Sequence, residues 1–382
     1  MQQHTTMPFQ LHIGLMSAEL TTRHGWASHS FHLIEALLRA GAQVTALVPR
    51  SSPRLAGAAL HRILPETNPA ERGLLPKQAA LIPQARSLLR AAEVIHATIE
   101  PYAPLAAWTA GRRPLFMTGH GSYVQTAGLR RWPISTVYAR AFRQAHIICV
   151  SHYTESVVHT ALPGAQTAVI PNGVNAELFA AAVAVRRSAP PHPLTVLAVG
   201  AVKRRKGMLE LVQAMAVVRR SLPEAQAVII GSLTSEPDYV AQVQAAIRDL
   251  GLEGAVHLRG HVPEADLRAA YAQADVFALP SLNQGWKFEG YGIVYLEAGA
   301  AGLPVIGTRD CGAEDAIEDG VTGLLIPQTG VAESLPAALL RLLNDADLRA
   351  RMGAAGLAKA TRQSWDWVAA QWVAAYRAGR EG

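Results

Sequence analysis

Short apolar runs alternate with longer amphipathic stretches along almost the whole chain. This alternation constrains the fold more than any other feature. Parallel strands need a crossover, usually a helix, between neighbours, and strands buried on both faces read as continuous apolar runs. The pattern therefore predicts βαβ units and parallel sheets. In the first half, FQLHIGL (9–15), QVTALV (43–48), VIHA (94–97), PLFMT (114–118), HIICV (146–150) and TAVI (167–170) read as strands, and 26–40 as a helix ended by Gly41. Residues 180–193, AAAVAVRRSAPPHP, break the rhythm with three prolines in four positions, which reads as a linker. A second set follows: LTVLAVG (194–200), QAVIIG (226–231), VHLRG (256–260), DVFALP (275–280), LPVIG (303–307) and TGLLIP (322–327), with helices expected at 207–220, 238–250, 264–273, 292–301 and 332–343.

A chain of 382 residues exceeds one ordinary core. The expected division is a first domain over 1–179, the linker 180–193, a second domain over 194–360, and a tail over 361–382. In the tail, Trp365, Val368 and Trp372 fall at helical spacing, a stripe expected to pack on a core.

Half the residues are hydrophobic and 17% are charged, which excludes a disordered chain. The two cysteines, Cys149 and Cys311, form neither a disulfide framework nor a metal motif, and Cys149 reads as a buried strand residue. No apolar run approaches the roughly 18 residues that span a bilayer, and MQQHTTMPFQLHIGLM lacks the form of a secretory leader. A cytoplasmic protein is expected. The net charge of +6 lies in the first half: residues 1–180 hold 15 basic and 8 acidic residues, the remainder 20 and 21. Peripheral contact with an anionic membrane, or an anionic acceptor, fits this imbalance, as do scattered solubilising arginines.

Ligands of open α/β sheets bind at the carboxyl ends of strands. The segment FEGYGIVYLEAGAAGLPVIGT (288–308) places Glu289 before a helix and Glu297 inside it. The amides of Gly290, Tyr291, Gly292, Ile293 and Val294 lie at or near that helix N-terminus, which suits a phosphate. Glu289 can accept from sugar hydroxyls and Glu297 from those of a ribose. Taken as bare spacing, two glutamates eight apart say little, and an ordinary glycine-rich turn would serve as well. In VGAVKRRKGMLELVQA (199–214), Lys203 to Lys206 join a strand to a helix, where cations can neutralise a diphosphate. Without interleaved aromatics they do not read as a nucleic-acid site. The loop Gly260–Val262 also follows a strand. In the first half, RHGWASHS (23–30) contains Gly25, and TGHGSYV (118–124) places His120 after a strand.

These words resemble the retaining group 1 glycosyltransferases of the GT-B fold, strongly over 145–327 and weakly over 51–110. The resemblance implies two Rossmann-like domains facing across a cleft, with the C-terminal helix packing back on the first. It implies that Glu289 touches the donor sugar, Glu297 holds the ribose and Lys206, with Arg205 beside it, binds the donor diphosphate. It further implies that Val262 and its neighbours edge the base by main-chain contact, that Gly25 lies near the donor phosphate, and that His120 faces the donor sugar. Two departures stand out: Ala201 occupies the place of a frequent arginine, which Lys203 or Arg204 could replace, and Trp26 that of a small residue.

The implied reaction moves a sugar from a nucleoside-diphosphate donor to a sugar, lipid-linked or other hydroxyl acceptor, with retention and an α-linked product. No cofactor or metal is expected, since the only D-x-D, Asp345 to Asp347, reads as a helix boundary. A nicotinamide dehydrogenase would need G-x-G-x-x-G after the first strand, and LMSAELTTRHGWAS lacks it. A nucleotide-sugar epimerase of similar shape, or a binding module with a dead site, stays open.

Overall fold

In a computed structural model, residues 11–21, 25–66, 73–129, 131–179 and 192–381 are described. The chain divides into two compact units, Met1–Gly173 with Trp365–Gly382, and Val174–Ser364. Both boundaries differ from the expected ones. Val174 donates its amide to the Gln363 carbonyl at 3.1 Å, and Phe179 packs edge-on against Tyr271, so 174–179 belong to the second unit. The helix Ala346–Arg362 runs past position 360, so the return to the first unit begins only at Trp365. Most of the expected linker, 180–191, lies outside the described residues.

The first unit is built on seven parallel strands: β1 (His12–Met16), β2 (Gln43–Pro49), β3 (Ala59–Leu64), β4 (Val94–Ala97), β5 (Leu115–Gly119), β6 (His146–Cys149) and β7 (Thr167–Val169). Their order is β3-β2-β1-β4-β5-β6-β7. Ile13 of β1 pairs with Val44 on one side and Val94 on the other, so the strand order reverses between β1 and β4. The reversal opens a crevice at the carboxyl ends of these two strands. Six of the seven strands match the apolar runs of the sequence, and Cys149 is buried in β6 as expected.

The C-terminal helix Trp365–Glu381 completes this core. Trp365, Val368, Trp372 and Tyr376 are buried against Ile13 and Leu15 of β1 and Leu33, Ile34 and Leu37 of the helix Gly25–Arg39. Trp372 stacks on His96 with ring centroids 4.3 Å apart. The His96 ring nitrogens meet the Tyr376 hydroxyl and Thr118 Oγ1, each at 2.8 Å, so the buried imidazole is satisfied on both sides.

The second unit has six parallel strands: β8 (Thr195–Val199), β9 (Gln226–Ile230), β10 (Val256–Leu258), β11 (Val276–Ala278), β12 (Val305–Thr308) and β13 (Gly323–Ile326). Five lie within their expected runs and β12 extends one residue past its own, to Thr308, in the doubly wound order β10-β9-β8-β11-β12-β13. The reversal falls between β8 and β11, and the loops after both strands carry the candidate site. The short helix Ile293–Ala300 is seated there by small residues. Cβ atoms added at Gly353 and Gly356 would come within 2.1 Å of the Gly302 carbonyl oxygen and 3.1 Å of Gly299, so the helix Ala346–Arg362 backs it at near-contact. Asp345 caps that second helix by accepting from the Leu348 amide at 2.8 Å, which confirms the D-x-D as a helix boundary.

Candidate active site

In the second unit the loop after β8 forms one turn of 3₁₀ helix, Arg204–Lys206, and then the helix Met208–Ser221. Gly207 joins them at φ +67°, where an added Cβ would lie 2.0 Å from the Pro280 carbonyl oxygen. Only glycine fits this junction. The close approach pins the basic loop to the loop after β11, where the Leu282 amide donates to the Arg205 carbonyl at 2.8 Å.

Glu289 lies in the same place. Lys206 Nζ donates to its Oε2, and Arg205 Nη1 and Ser281 Oγ each reach that oxygen at 3.3 Å. Burial alone would raise the Glu289 carboxyl, but Lys206 and Arg205 together hold it down at about 2. Burial also lowers the Lys206 ammonium, against the pull of Glu289. The two shifts point to opposite winners. The close contact, with both side chains nearly excluded from water, favours a charged pair. Two cations and one carboxylate leave the cluster with one net positive charge, a setting made for an anion.

The run after Glu289 splits into two parts. Gly292 caps the helix Ile293–Ala300 at φ +82°, so the amides of Ile293 and Val294 open its first turn. Gly290 passes so close to Gly312 that a Cβ on Gly312 would lie 1.9 Å from its carbonyl oxygen, and the Gly312 amide donates to the Glu289 carbonyl at 2.8 Å. For Tyr291 the expectation concerned the amide alone, and its side chain is engaged elsewhere. Its side chain turns into the core and its hydroxyl accepts from Gln363 Nε2 at 2.5 Å, leaving only its main chain for a ligand. Glu297, in the second turn, accepts from the Tyr271 hydroxyl at 2.9 Å, and burial raises its carboxyl while that bond lowers it.

Of the two residues expected to replace the arginine missing at Ala201, Arg204 has its side chain engaged elsewhere. Its guanidinium lies 4.9 Å from the Tyr239 ring centroid and donates to Gln242, which commits it to the helix Pro237–Asp249. Val262 lines a groove of about 570 Å³ with Leu197, Val228, Arg259 and Asp266. Neither Lys206 nor Glu289 lines that groove.

In the first unit His120 stands at the end of β5. Its amide donates to Glu100 Oε1 at 2.8 Å, and its Nε2 lies 2.7 Å from the Thr98 carbonyl. A carbonyl only accepts, so Nε2 carries the proton and Nδ1 is left as an acceptor. Burial, with help from His29, holds the imidazole well below its usual range, so it is neutral. His29 lies 4.6 Å from it, ring to ring, and is fixed by Asn172 Oδ1 at 2.7 Å. Asn172 thus does more than form a turn. Glu100 is fully buried, and burial pushes its carboxyl up to about 7. Its Oε2 has no hydrogen-bond partner among the described residues. Trp26 packs near this cluster, 5.0 Å from Tyr123 and 6.4 Å from His120. Gly25 is exposed at the first position of its helix, and 22–24 lie outside the described residues.

The sequence reading missed Ser281, Tyr271, Glu100 and His29. Ser281 and Glu100 follow strands and His29 lies near a helix start, but Tyr271, in the last turn of the helix Glu264–Gln273, carried no such signal.

Two family models match the chain: group 1 glycosyl transferases over residues 184–359, and glycosyltransferase family 4 over 24–178. A GDP-mannose-dependent alpha-(1-6)-phosphatidylinositol monomannoside mannosyltransferase of Mycolicibacterium smegmatis is 34% identical over 282 residues, 69% of this chain and 71% of the relative. The amylovoran biosynthesis glycosyltransferase AmsK of Erwinia amylovora is 31% identical over 208 residues, 54% and 49% of the two chains. Among solved structures, sucrose-phosphate synthase of Thermosynechococcus elongatus has a TM-score of 0.77 at 23% identity, covering 96% of this chain and 98% of its own. Anabaena Alr3699/HepE, in complex with UDP and glucose, has 0.75 at 21%, covering 96% and 100%. At these identities the structural likeness speaks to the fold.

Proposed function

Because the chain belongs to the group 1 glycosyltransferases, we propose that it moves a sugar from a nucleoside-diphosphate donor to a hydroxyl acceptor, with retention and without a metal. The observation that carries this reading is the cluster of Lys206, Arg205 and Glu289 beside the N-terminus of the helix Ile293–Ala300. Lys206, Arg205 and the first-turn amides would hold the donor diphosphate and stabilise the charge that develops as it leaves. They would do the work that a metal ion does in other enzymes. Glu289 would accept from hydroxyls of the sugar, and His120 Nδ1 from a further one. Glu297 would receive the ribose.

In the proposed reaction, the acceptor oxygen forms its bond to the anomeric carbon on the face that the diphosphate leaves. The departing diphosphate oxygen takes the acceptor's proton. The product is α-linked. The relative from M. smegmatis is named for a GDP-mannose donor and a phosphatidylinositol-based acceptor. This favours GDP-mannose and a lipid-linked hydroxyl here.

The test is thermal denaturation with GDP, UDP and ADP in the presence of a chelator, for the wild type and Lys206→Ala. A ligand that binds the native state raises its melting midpoint. One nucleotide should raise it without metal, less so in the variant, and proton NMR of the product should show the α-anomer. No shift with any nucleotide, or a shift that needs a divalent cation, would overturn the reading.

A further inference from the structure

Residues 101–154 contain six arginines, Arg112, Arg113, Arg130, Arg131, Arg140 and Arg143, and no aspartate, glutamate or lysine. These six equal the whole net charge of +6, so the rest of the chain is balanced at 29 basic and 29 acidic residues. The chain's excess charge is thus confined to one stretch of the first unit.

An apolar tip stands in the middle of that stretch. Between the short helix Thr126–Leu129 and the helix Ile134–Gln144, Leu129 is 48% exposed, Trp132 82% and Ile134 40%. Eight large apolar side chains are exposed among the described residues, and three of them fall within these six positions. Arg131 is exposed beside Trp132, and Arg140 and Arg143 are exposed along the helix that follows. Among the described residues, no carboxylate pairs with Arg131, Arg140 or Arg143. The buried face of that helix, Tyr138, Ala141 and Phe142, packs on the core, which leaves the tip to face solvent. The chain reaches this tip from the carboxyl end of β5, the end that carries His120.

An exposed tryptophan among unpaired arginines is poorly matched to water. It fits an interface with a polar, negatively charged upper layer and an apolar layer below. Indole rings settle at the headgroup level of a bilayer, and arginines near an anionic leaflet each strengthen attachment several-fold. A protein partner could cover the apolar side chains, but a stretch of 54 residues without one carboxylate favours a surface that is negative throughout. We propose that Leu129, Trp132 and Ile134 form a docking tip for an anionic lipid bilayer, entering the headgroup–acyl boundary, with Arg131, Arg140 and Arg143 meeting lipid phosphates. The proposal rests on this surface alone and holds whichever acceptor the enzyme uses.

The test is co-sedimentation of the full chain, without substrates, with vesicles of phosphatidylcholine alone and of phosphatidylcholine with phosphatidylglycerol. The wild type should bind only the anionic vesicles, and less as salt rises. Trp132→Ser should weaken binding about tenfold or more, and Arg131→Glu about fivefold or more. Trp132 makes no core contact, so both variants should melt at the wild-type temperature and keep the wild-type response to nucleotide, which separates this test from that of the donor site. Vesicles with brominated acyl chains should quench the wild type more than Trp132→Phe. Three results would each overturn the proposal: no binding to anionic vesicles, unchanged binding by Trp132→Ser, or a wild-type dimer that Trp132→Ser converts to a monomer.

Discussion

Replacing Lys206 with alanine tests whether one contact both holds the second unit's loops together and does chemistry. The Glu289 carboxyl is held at about 2 instead of 4.5. At 1.36 kcal/mol per unit, that difference is worth ~3 kcal/mol of net favourable interaction, after the burial penalty is overcome. Both side chains are nearly excluded from water, 12% exposed for Lys206 and 10% for Glu289, so solvent screening removes little of it. Removing one partner of such a pair leaves a buried charge, at a cost of about 3–5 kcal/mol. Arg205 still reaches Glu289 at 3.3 Å, which puts the variant at the lower end, about 3 kcal/mol. In a unit spanning Val174–Ser364, each kcal/mol moves the midpoint by about 2–4 °C, so Lys206→Ala should melt about 6–12 °C lower at pH 7. The sign of the pH dependence follows from the depressed carboxyl. Its contribution is present above the unfolded value near 4.5 and is lost as pH falls toward 2, so the gap between the proteins should narrow over that interval. Turnover should drop by about 10²–10³, the usual effect of removing one group that stabilises developing charge. The double variant Lys206→Met/Glu289→Gln should regain most of the stability and none of the turnover. Thermal denaturation from pH 3 to 8, with turnover at saturating donor, measures both. A midpoint within 2 °C of wild type, with turnover reduced less than tenfold, would refute the reasoning.

Two further outcomes follow from the first unit. The Glu100 carboxyl is raised to about 7, so the stability it contributes is full below pH 4.5 and is lost as pH rises through 7. Glu100→Gln keeps an acceptor for the His120 amide and should gain up to about 3 kcal/mol over wild type between pH 5 and 8.5; parallel denaturation profiles would show that Glu100 does not titrate there. Trp372→Ala empties the space between β1, His96 and the C-terminal helix, and should cost about 3–5 kcal/mol in chemical denaturation. A loss below 1 kcal/mol would show that the helix is not part of this core.

Why some of this was legible in the sequence, and some not, is a question of range. In the second unit β11, β12 and β13 are buried at every position and β8 at all but its first, so they read as unbroken apolar runs. β3 was missed because Ala59–Leu64 is an edge strand with exposed positions among its apolar ones, so no run stands out. The helix Ala346–Arg362 was missed for another reason. Part of its packing comes from Gly353 and Gly356 lying against Gly302 and Gly299, which thins its apolar stripe to Leu348, Met352 and Ala360. The site divides in the same way. Lys206, Glu289 and Glu297 lie in segments whose local chemistry already suits phosphate and sugar. Ser281 and Tyr271 matter only because the fold brings their hydroxyls to carboxylates 8 and 26 positions away. Tyr291 shows the converse, since nothing in its own segment tells that Gln363, 72 positions later, draws its side chain inward.

The buried polar cluster of the first unit was the least visible of all. A histidine after a strand can be suspected from its neighbours. Its tautomer cannot, because the proton on His120 Nε2 is fixed by the Thr98 carbonyl, and its backbone by a carboxylate 20 positions earlier. What His120 can offer a sugar hydroxyl, an acceptor and not a donor, is therefore decided by residues that carry no recognisable motif. The same holds for charge. The excess of the first half was evident at once, but only the fold shows that Arg113 is spent on backbone carbonyls while Arg131, Arg140 and Arg143 stand exposed.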